Sequence, residues 1–528
     1  MKFLTHPAVT ALGLAYLCLV GLAGPLVSPN DTTVYHLSGS ASAIFVPVIV
    51  YFLLLWLVMT SLITFVASRP RMWVLLWSTI LFFGPWVLWK NYTKLTVATV
   101  PHWLNLLVFA VSLTGFVIFQ SIWGLPLRSW FDRVQRFLAV LFGFTSFTGL
   151  LMLSQLLWFG WQARSLNAPL SLHQRSSSSA MIRKPRIIWV VMDELSYQQI
   201  YEQRFPGANL PAFDQLASDS TVFTHVVPAG IETQIVIPSL LTGSPADKIR
   251  PSSDGLQLTL HNPDTVTWQV FDPHQTIFQD ALQAGYSTAI AGWYNPYCRV
   301  LPEVLDRCFW TSHIPFSAGI SDHQSIGTNL LAPLFRLGAT VPTFLSPRHI
   351  TSPGDLIEVR GTIVDFETLS ISADQLIADP TANFLYLHMP IPHPPGIYDR
   401  RHATFVTSHS SYVDNLALAD QFIAHIRRAL EQLGQWDSSA IVIMGDHSWR
   451  TKLVWTSSDM WTSEDEAASH GGQFDDRPAY IVKMPYQQTP ARIDSRFAAI
   501  RTRALLDGII DGRLKTADDL AAWAGQQP

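Results

Sequence analysis

The chain has 528 residues, a mean hydropathy of +0.21 and only 14% charged residues, whereas a soluble domain carries about 25%. Residues 1–160 hold eight of the 35 basic and two of the 39 acidic side chains, so their net charge is +6 and that of the remainder is −10. This composition excludes an ordinary soluble globule. It also argues against nucleic-acid binding, which needs a basic surface. We expect a membrane part followed by a soluble part.

Five stretches in residues 1–160 are long and apolar enough to cross a bilayer, which takes about 20 residues per helix. Most basic residues fall in the loops on one side of these stretches, so the positive-inside rule places the N-terminus in the cytoplasm. Five crossings then make the soluble part extracytoplasmic. The first stretch also has features of a signal peptide, but four further spans favour an uncleaved helix. The predicted spans are 7–27, 43–66, 72–89, 103–124 and 137–160.

The boundary between the two parts has the composition of a linker. Residues 161–186 lose the apolar pattern and contain four consecutive serines. We therefore assign residues 1–160 to a transmembrane domain and residues 187–528 to the soluble domain. Cys298 and Cys308 lie ten residues apart in the soluble domain, and an oxidising compartment favours a disulfide between them.

Two short apolar runs, Ile187–Met192 and Ala440–Met444, are each followed by residues of types that commonly bind metals. Such runs are typical of strands buried in a parallel sheet, and ligand sites of open α/β sheets lie at the carboxyl ends of the strands. The acidic pair Asp193-Glu194 taken alone would also fit a helix cap. Together they predict a metal site, because carboxylate oxygens and imidazole nitrogens are common ligands. The candidate ligands are Asp193, Glu194, Asp446 and His447.

Thr233 is the candidate nucleophile. Residues 233–243 are predicted to form a helix, and Thr233 stands at its N-terminus, where backbone N–H groups favour an alkoxide or a bound anion. An ordinary N-cap is the alternative interpretation. Because a threonine hydroxyl is inert without a metal or base, the hypothesis requires Thr233 to lie at the predicted metal site.

A third apolar run, Asn383–Leu387, precedes a loop that contains His388, His393 and Arg400. Single histidines are often structural, but this combination suits a phosphoryl group or a second metal, with the arginine able to bind an anion through two hydrogen bonds. His470, which is followed by two glycines, is a further candidate.

Taken in order, these motifs resemble the sulfatase-like branch of the alkaline phosphatase superfamily over about residues 185–490. The five spans and exported domain resemble the layout of membrane phosphoethanolamine transferases and lipoteichoic acid synthases. In the former, the nucleophilic threonine stands five residues before a helix proline, as Thr233 stands before Pro238. Val236 occupies the position where sulfatases carry the formylglycine precursor, so a formylglycine sulfatase is disfavoured. In the motif around Asp446, Gly445 replaces the serine of the family and Ser448 the glycine.

The resemblance implies an N-terminal α-helical membrane domain with five transmembrane helices and an α/β sulfatase-like catalytic domain. It also implies a role for each candidate residue. The implied metal ligands are Asp193, Glu194, Thr233, Asp446 and His447; the catalytic residues are Thr233, His393 and His470; and the substrate-binding residues are His388, His393, Arg400 and His470.

The implied activity is metal-dependent transfer of a phosphoethanolamine- or phosphoglycerol-type headgroup through a phospho-threonine intermediate. A membrane phospholipid is the expected donor and an envelope glycolipid or glycan the expected acceptor, with no nucleic-acid partner. Zinc is the first choice of metal, with manganese, calcium and magnesium as alternatives. We expect a monomer in the bacterial inner (cytoplasmic) membrane, with a cytoplasmic N-terminus and a periplasmic or extracellular catalytic domain.

Two other functions fit the same motifs. A hydrolase would discharge the intermediate with water, as a phosphodiesterase, phosphatase or sulfate-ester hydrolase. A degenerate, non-catalytic domain could instead act as a binding module in envelope assembly. The presence of Asp193, Thr233, Asp446 and His447 in one chain argues against this second alternative.

Overall fold

A computed structural model describes residues 3–28, 31–95, 102–121, 125–167, 171–173, 184–316, 319–332, 353–458 and 460–526. These residues fall into two compact units, and neither unit is continuous in sequence. The first takes its described residues from Met1–Val34, Ser40–Ser165 and Ile320–Phe335. The second takes them from Tyr35–Gly39, Leu166–Gly319 and Arg336–Pro528. The short segment Tyr35–Gly39 therefore belongs to the unit that contains the candidate site.

The first unit contains five helices that are long and apolar enough to cross a membrane, as predicted. Large apolar side chains on them are exposed, for example Leu57 at 64% and Phe137 at 66%, which is typical of helices that are apolar on all faces. The last helix begins before the predicted residue 137, because a helix can continue through the polar positions that end its apolar pattern. Residues 122–124 of the fourth predicted span lie outside the described residues. The helices are Pro7–Val27, Ala41–Val66, Pro70–Leu95, His102–Ser121 and Leu125–Gln162.

The second unit is built on an eight-stranded mixed sheet. All six residues of Ile187–Met192 are buried, and this strand pairs in parallel with Phe384–Met389 on one side and Ala440–Gly445 on the other. Two apolar clusters cover the opposite faces of the sheet, which explains why the central strands are continuous apolar runs. In spatial order the strands are Ala491–Ile493, Thr221–Phe223, Tyr480–Lys483, Ala440–Gly445, Ile187–Met192, Phe384–Met389, Thr288–Trp293 and Arg307–Thr311.

Helices and short strands surround this sheet. Tyr412–Gln432 begins with a capping box, in which Ser411 and Asp414 satisfy each other's backbone N–H groups. The other helices are Pro211–Ser218, Thr233–Thr242, Ile277–Gln283, Tyr297–Val300, Pro353–Ala378, Ser463–Ala468, Thr502–Ile510 and Ala517–Ala524. The smaller sheets pair Tyr398–Asp399 with Thr404–Phe405, Val226–Val227 with Phe497–Ala498, and Lys248–Pro251 with Leu258–Asn262 and Thr267–Val270.

The register of the central strands places their carboxyl ends side by side. Met192 pairs with Gly445 on one neighbour and with Met389 on the other. The residues that follow each strand therefore emerge at the same edge of the sheet. Away from this edge, Cys298 and Cys308 form the predicted disulfide, with their Cα atoms 5.6 Å apart.

Gly445 leaves no room for a side chain at this edge. A Cβ atom there would lie 2.6 Å from the backbone oxygen of Leu195 and 3.0 Å from that of His447. We expect Gly445→Ala to lower stability by about 1–3 kcal/mol, the usual cost of overpacking. Thermal unfolding of the purified full-length protein measures this, with Gly327→Ala as control because its nearest neighbour atom is 3.8 Å away. Equal midpoints for the two variants would contradict the expected clash.

Candidate active site

Thr233 lies beside the predicted metal ligands. It is the first residue of its helix, and Glu232 before it is the N-cap residue. The Thr233 hydroxyl donates a hydrogen bond to Asp193 Oδ2 at 3.0 Å, and its Oγ1 lies 3.3 Å from His447 Nε2. Three side chains from distant parts of the sequence therefore meet at one point, which is the arrangement that the nucleophile hypothesis required.

Asp193, Asp446 and His447 are grouped closely enough to hold a metal ion, with one ligand atom of each within 4.8 Å of the others. Asp193 Oδ1 and Asp446 Oδ2 are buried and have no hydrogen-bond partner among the described residues. Burial, followed by the neighbouring Asp446 carboxylate, raises the pKa of Asp193. Buried carboxylates with unpaired oxygens need a compensating cation. This donor set of two carboxylates and one imidazole therefore fits a divalent metal ion.

Glu194 is held by contacts from several elements. Its side chain is fully buried, and its carboxylate accepts hydrogen bonds from Arg450 Nε at 2.5 Å and Trp455 Nε1 at 2.8 Å. Its backbone N–H donates to Asp446 Oδ1 at 3.1 Å, and its backbone oxygen accepts from the Tyr412 hydroxyl at 2.7 Å. These contacts hold Glu194 in the left-handed region, with φ at 63°, which is strained for a residue with a side chain.

His393 lies next to this group. Arg450 Nη2 is 3.1 Å from His393 Nε2, and a ligand atom of His393 lies within 4.8 Å of those of Asp193 and Glu194. Burial and the nearby Arg450 charge lower the pKa of His393. The imidazole is therefore neutral. Because the Glu194 carboxylate already accepts hydrogen bonds, Asp193 is the better ligand of the two acids.

His388 is fully buried on the next strand. Its Nδ1 lies 2.7 Å from the Tyr297 hydroxyl, and its Nε2 has no hydrogen-bond partner among the described residues. Burial lowers the pKa of His388 to about 4, so its imidazole is neutral at pH 7.

Arg400 does not join this cluster among the described residues, and its role in binding the substrate anion stays a prediction. Its guanidinium pairs with Asp414 Oδ1 at 2.6 Å and with Glu464 Oε1 at 2.7 Å. Two carboxylates therefore already compensate its charge. His470 is exposed, in a turn after the helix Ser463–Ala468, and no contact joins its side chain to Thr233 among the described residues.

Sequence reasoning missed three residues that hold the site together, namely Arg450, Trp455 and Tyr412. Arg450 had a local signal, because it follows the predicted ligand His447 by three residues. Trp455 and Tyr412 reach Glu194 only through the fold, across 261 and 218 residues. No spacing rule within the sequence connects residues so far apart.

A comparison with protein families identifies the chain. The model of the sulfatase family matches residues 185–486, which is more than half of the chain. The chain belongs to the sulfatase family. This sulfatase-family protein is therefore an enzyme, and its matched region contains all the candidate site residues described above. No curated protein matches the chain.

Several solved structures are similar to this sulfatase-family protein at low identity. The lipoteichoic acid synthase LtaP from Listeria monocytogenes is 13% identical, with a TM-score of 0.35, over 65% of this chain and 76% of that one. The phosphonate monoester hydrolase of Agrobacterium radiobacter is 13% identical, with a TM-score of 0.38, over 62% and 74%. The family assignment rests on the matched residues and not on these similarities.

Arg450 should be essential for the stability of the site. Arg450→Met leaves the Glu194 carboxylate buried without its cationic partner, so we expect the free energy of unfolding to fall by about 3 kcal/mol or more. Arg450→Lys keeps the charge, so we expect a smaller fall in the free energy of unfolding for this variant. Thermal unfolding checks this order. Arg492→Met is the control, because Arg492 and Asp494 form an exposed pair, which contributes little. An equal loss in Arg450→Met and Arg492→Met would exclude the stabilising role.

Proposed function

We propose that this sulfatase-family protein is a membrane-anchored transferase that moves a phosphoethanolamine- or phosphoglycerol-type headgroup through a phospho-threonine on Thr233. The observation that carries the proposal is the contact of the Thr233 hydroxyl with Asp193 and His447 at a helix N-terminus. Val236, at the position of the formylglycine precursor in sulfatases, is fully buried in the apolar core and presents no nucleophile. Thr233 supplies the hydroxyl instead.

Asp193, Asp446 and His447 would hold the divalent metal ion, with the Thr233 oxygen close enough to join them. A bound ion supplies Lewis acidity, which lowers the pKa of the Thr233 hydroxyl and stabilises negative charge on the phosphoryl oxygens. We propose zinc because the ligands combine nitrogen and oxygen atoms, with manganese, calcium and magnesium as alternatives. Glu194 contributes chiefly by fixing the position of Asp446 through its backbone N–H.

In the first step, Thr233 Oγ1 attacks the phosphorus of the lipid donor while its proton passes to Asp193 Oδ2, 3.0 Å away. The bond from phosphorus to the diacylglycerol oxygen breaks, and that oxygen takes up the proton held on Asp193. In the second step, an acceptor hydroxyl attacks the phosphorus of the phospho-threonine, the bond from phosphorus to Thr233 Oγ1 breaks, and the proton of the acceptor hydroxyl passes to Oγ1 by way of Asp193. His393, which is neutral and next to Arg450, is placed to bind a phosphoryl oxygen or exchange these protons.

Five apolar helices support a membrane-anchored enzyme, and anchoring keeps the catalytic unit where lipid donors are concentrated. We propose the bacterial inner membrane, with the N-terminus in the cytoplasm and the catalytic unit in the periplasm or outside the cell. The Cys298–Cys308 disulfide supports an oxidising compartment. The proposed acceptor is an envelope glycolipid or glycan, and the enzyme is proposed to act as a monomer. The substrate roles of His388 and His470 stay predictions.

Peptide mass spectrometry tests the proposed intermediate. We expect the purified full-length protein, incubated with vesicles of phosphatidylethanolamine or phosphatidylglycerol, to carry the headgroup phosphate on Thr233. Thr233→Ala should carry none, and Thr233→Ser should carry it on the new hydroxyl. A bare Thr233 with hydrolysis of phosphate or sulfate esters would favour the hydrolase alternative. If the protein shows neither an adduct nor hydrolysis, the enzymatic mechanism proposed for Thr233 is refuted.

Metal analysis tests the ligand set independently of activity. We expect Asp446→Asn and His447→Gln to lower the metal content of the purified protein, because each removes a ligand, with a loss in affinity of about tenfold or more. Asp494→Asn serves as the matched control, since Asp494 is exposed and lies outside the cluster. Elemental analysis after dialysis against a weak chelator provides the comparison. Equal metal content in all three variants would place the metal elsewhere.

A further inference from the structure

The segment Tyr35–Gly39 connects the first two apolar helices in sequence, yet it belongs to the unit that contains Thr233. Three kinds of contact fix it there. The Tyr35 side chain is 1% exposed and joins an apolar cluster of that unit. Arg299 Nη2 donates hydrogen bonds to the backbone oxygens of Tyr35 and Leu37, each at 2.7 Å. The Ser38 hydroxyl donates to the backbone oxygen of Ser312 at 2.7 Å.

His36, in the middle of this segment, reaches the residue next to the nucleophile. Its Nε2 lies 3.3 Å from Oε1 of Gln234, the residue after Thr233. The amide nitrogen of Gln234 donates in turn to Glu232 Oε2 at 3.0 Å. Gln234 is therefore held from two sides, by its own N-cap residue and by a histidine from a segment 198 residues earlier in the chain.

His36 also contacts Tyr294, which follows the strand Thr288–Trp293. Its ring stacks on Tyr294, with the centroids 3.9 Å apart and the planes 15° apart, and its Nδ1 lies 3.1 Å from the Tyr294 backbone oxygen. The Gln234 and Tyr294 oxygens are both acceptors, so a neutral His36 donates a hydrogen bond to only one of them, and it donates to Gln234 when its proton is on Nε2. Tyr294 has a φ of 68° and directly follows Trp293, whose ring packs against His393. His36 thus joins the start of the Thr233 helix to the strand end that carries the aromatic neighbour of His393.

We propose that His36 is a positioning residue, which holds Gln234 and thereby fixes the start of the helix that presents Thr233. The inference rests on the proposed role of Thr233 as nucleophile. Without the His36 contact, the one side-chain bond left to Gln234 among the described residues is that to the exposed Glu232, and the first turn of the helix becomes freer to move. A displacement of about 1 Å at a reacting group can reduce the rate about a hundredfold.

Two substitutions separate the two ring contacts. Glutamine at position 36 extends its amide nitrogen to the level of Nε2 and can still bind Gln234, whereas asparagine reaches only the level of Nδ1 and Tyr294. Both remove the aromatic ring, so His36→Gln and His36→Asn are matched for the loss of stacking. Arg299→Gln, which removes the charged donor to the segment itself, is a second route to the same displacement.

The experiment measures adduct formation on Thr233 in the full-length variants, with phosphatidylethanolamine or phosphatidylglycerol vesicles. We expect His36→Asn and Arg299→Gln to slow formation at saturating lipid about tenfold or more, with little change in the lipid concentration for half-maximal rate. His36→Gln should stay within about threefold of the wild type. Hydrogen exchange of residues 233–242 should become faster in the first two variants and remain unchanged in the third.

The outcomes distinguish this inference from the proposed function. Wild-type rates and exchange in His36→Asn would overturn the positioning role, and so would equal impairment of His36→Asn and His36→Gln, since stacking alone would then explain the effect. If the wild type forms no adduct, the proposed transfer is wrong. In that case, the hydrogen exchange of residues 233–242 and the rate at which the same variants hydrolyse bis(4-nitrophenyl) phosphate still decide whether His36 positions the helix.

Discussion

Asp193 and Asp446 stand at the ends of two neighbouring parallel strands, each with a buried oxygen that has no hydrogen-bond partner among the described residues. Their carboxylates are close enough to hold one metal ion between them, so the two buried negative groups repel each other. The surrounding apolar sheet cannot solvate them. The sheet tolerates the pair because parallel pairing on both sides of Ile187–Met192 holds the strand ends rigidly. The demand for a cation, and with it the activation that we propose for Thr233, follows from this single constraint.

Several contacts hold the residues next to Asp193 and Asp446 in place. Glu194, at the turn after the first strand, is tied through its carboxylate to Arg450 and Trp455 and through its backbone to Asp446 and Tyr412. A strained backbone at such a position persists only because several contacts determine it together. The geometry of the ligands is therefore set before any substrate binds, which is the condition for electrostatic catalysis.

Local patterns in the sequence predicted the parts of this arrangement that depend on local physics. The apolar run Ile187–Met192 is a strand with the predicted bounds, and the helix after Glu232 begins at Thr233 as expected, because each pattern reflects burial or the start of a helix. The partners of Arg400 were not predictable in this way. Asp414 and Glu464 meet Arg400 only after a helix and a distant turn have packed together.

His36 shows the same limit more strongly. It lies between two apolar helices in sequence, and nothing near it suggests chemistry. Only the folded catalytic unit brings it to Gln234, and no periodicity or motif encodes a contact across 198 residues. Sequence reasoning could therefore single out the candidate reacting groups, which share a motif with a family, but not the residues that contact them across the fold.

The placement of Tyr35–Gly39 has a consequence for biosynthesis. The segment is translated 264 residues before the Arg299 side chain that binds the Tyr35 oxygen, so this contact can form only after the intervening chain has been made. The unit that contains Thr233 folds around a segment made much earlier, which lies between two apolar helices in the sequence. A fragment that begins at the linker would lack this piece of its own interior. Folding of the unit that contains Thr233 therefore depends on residues that precede the second apolar helix in the chain.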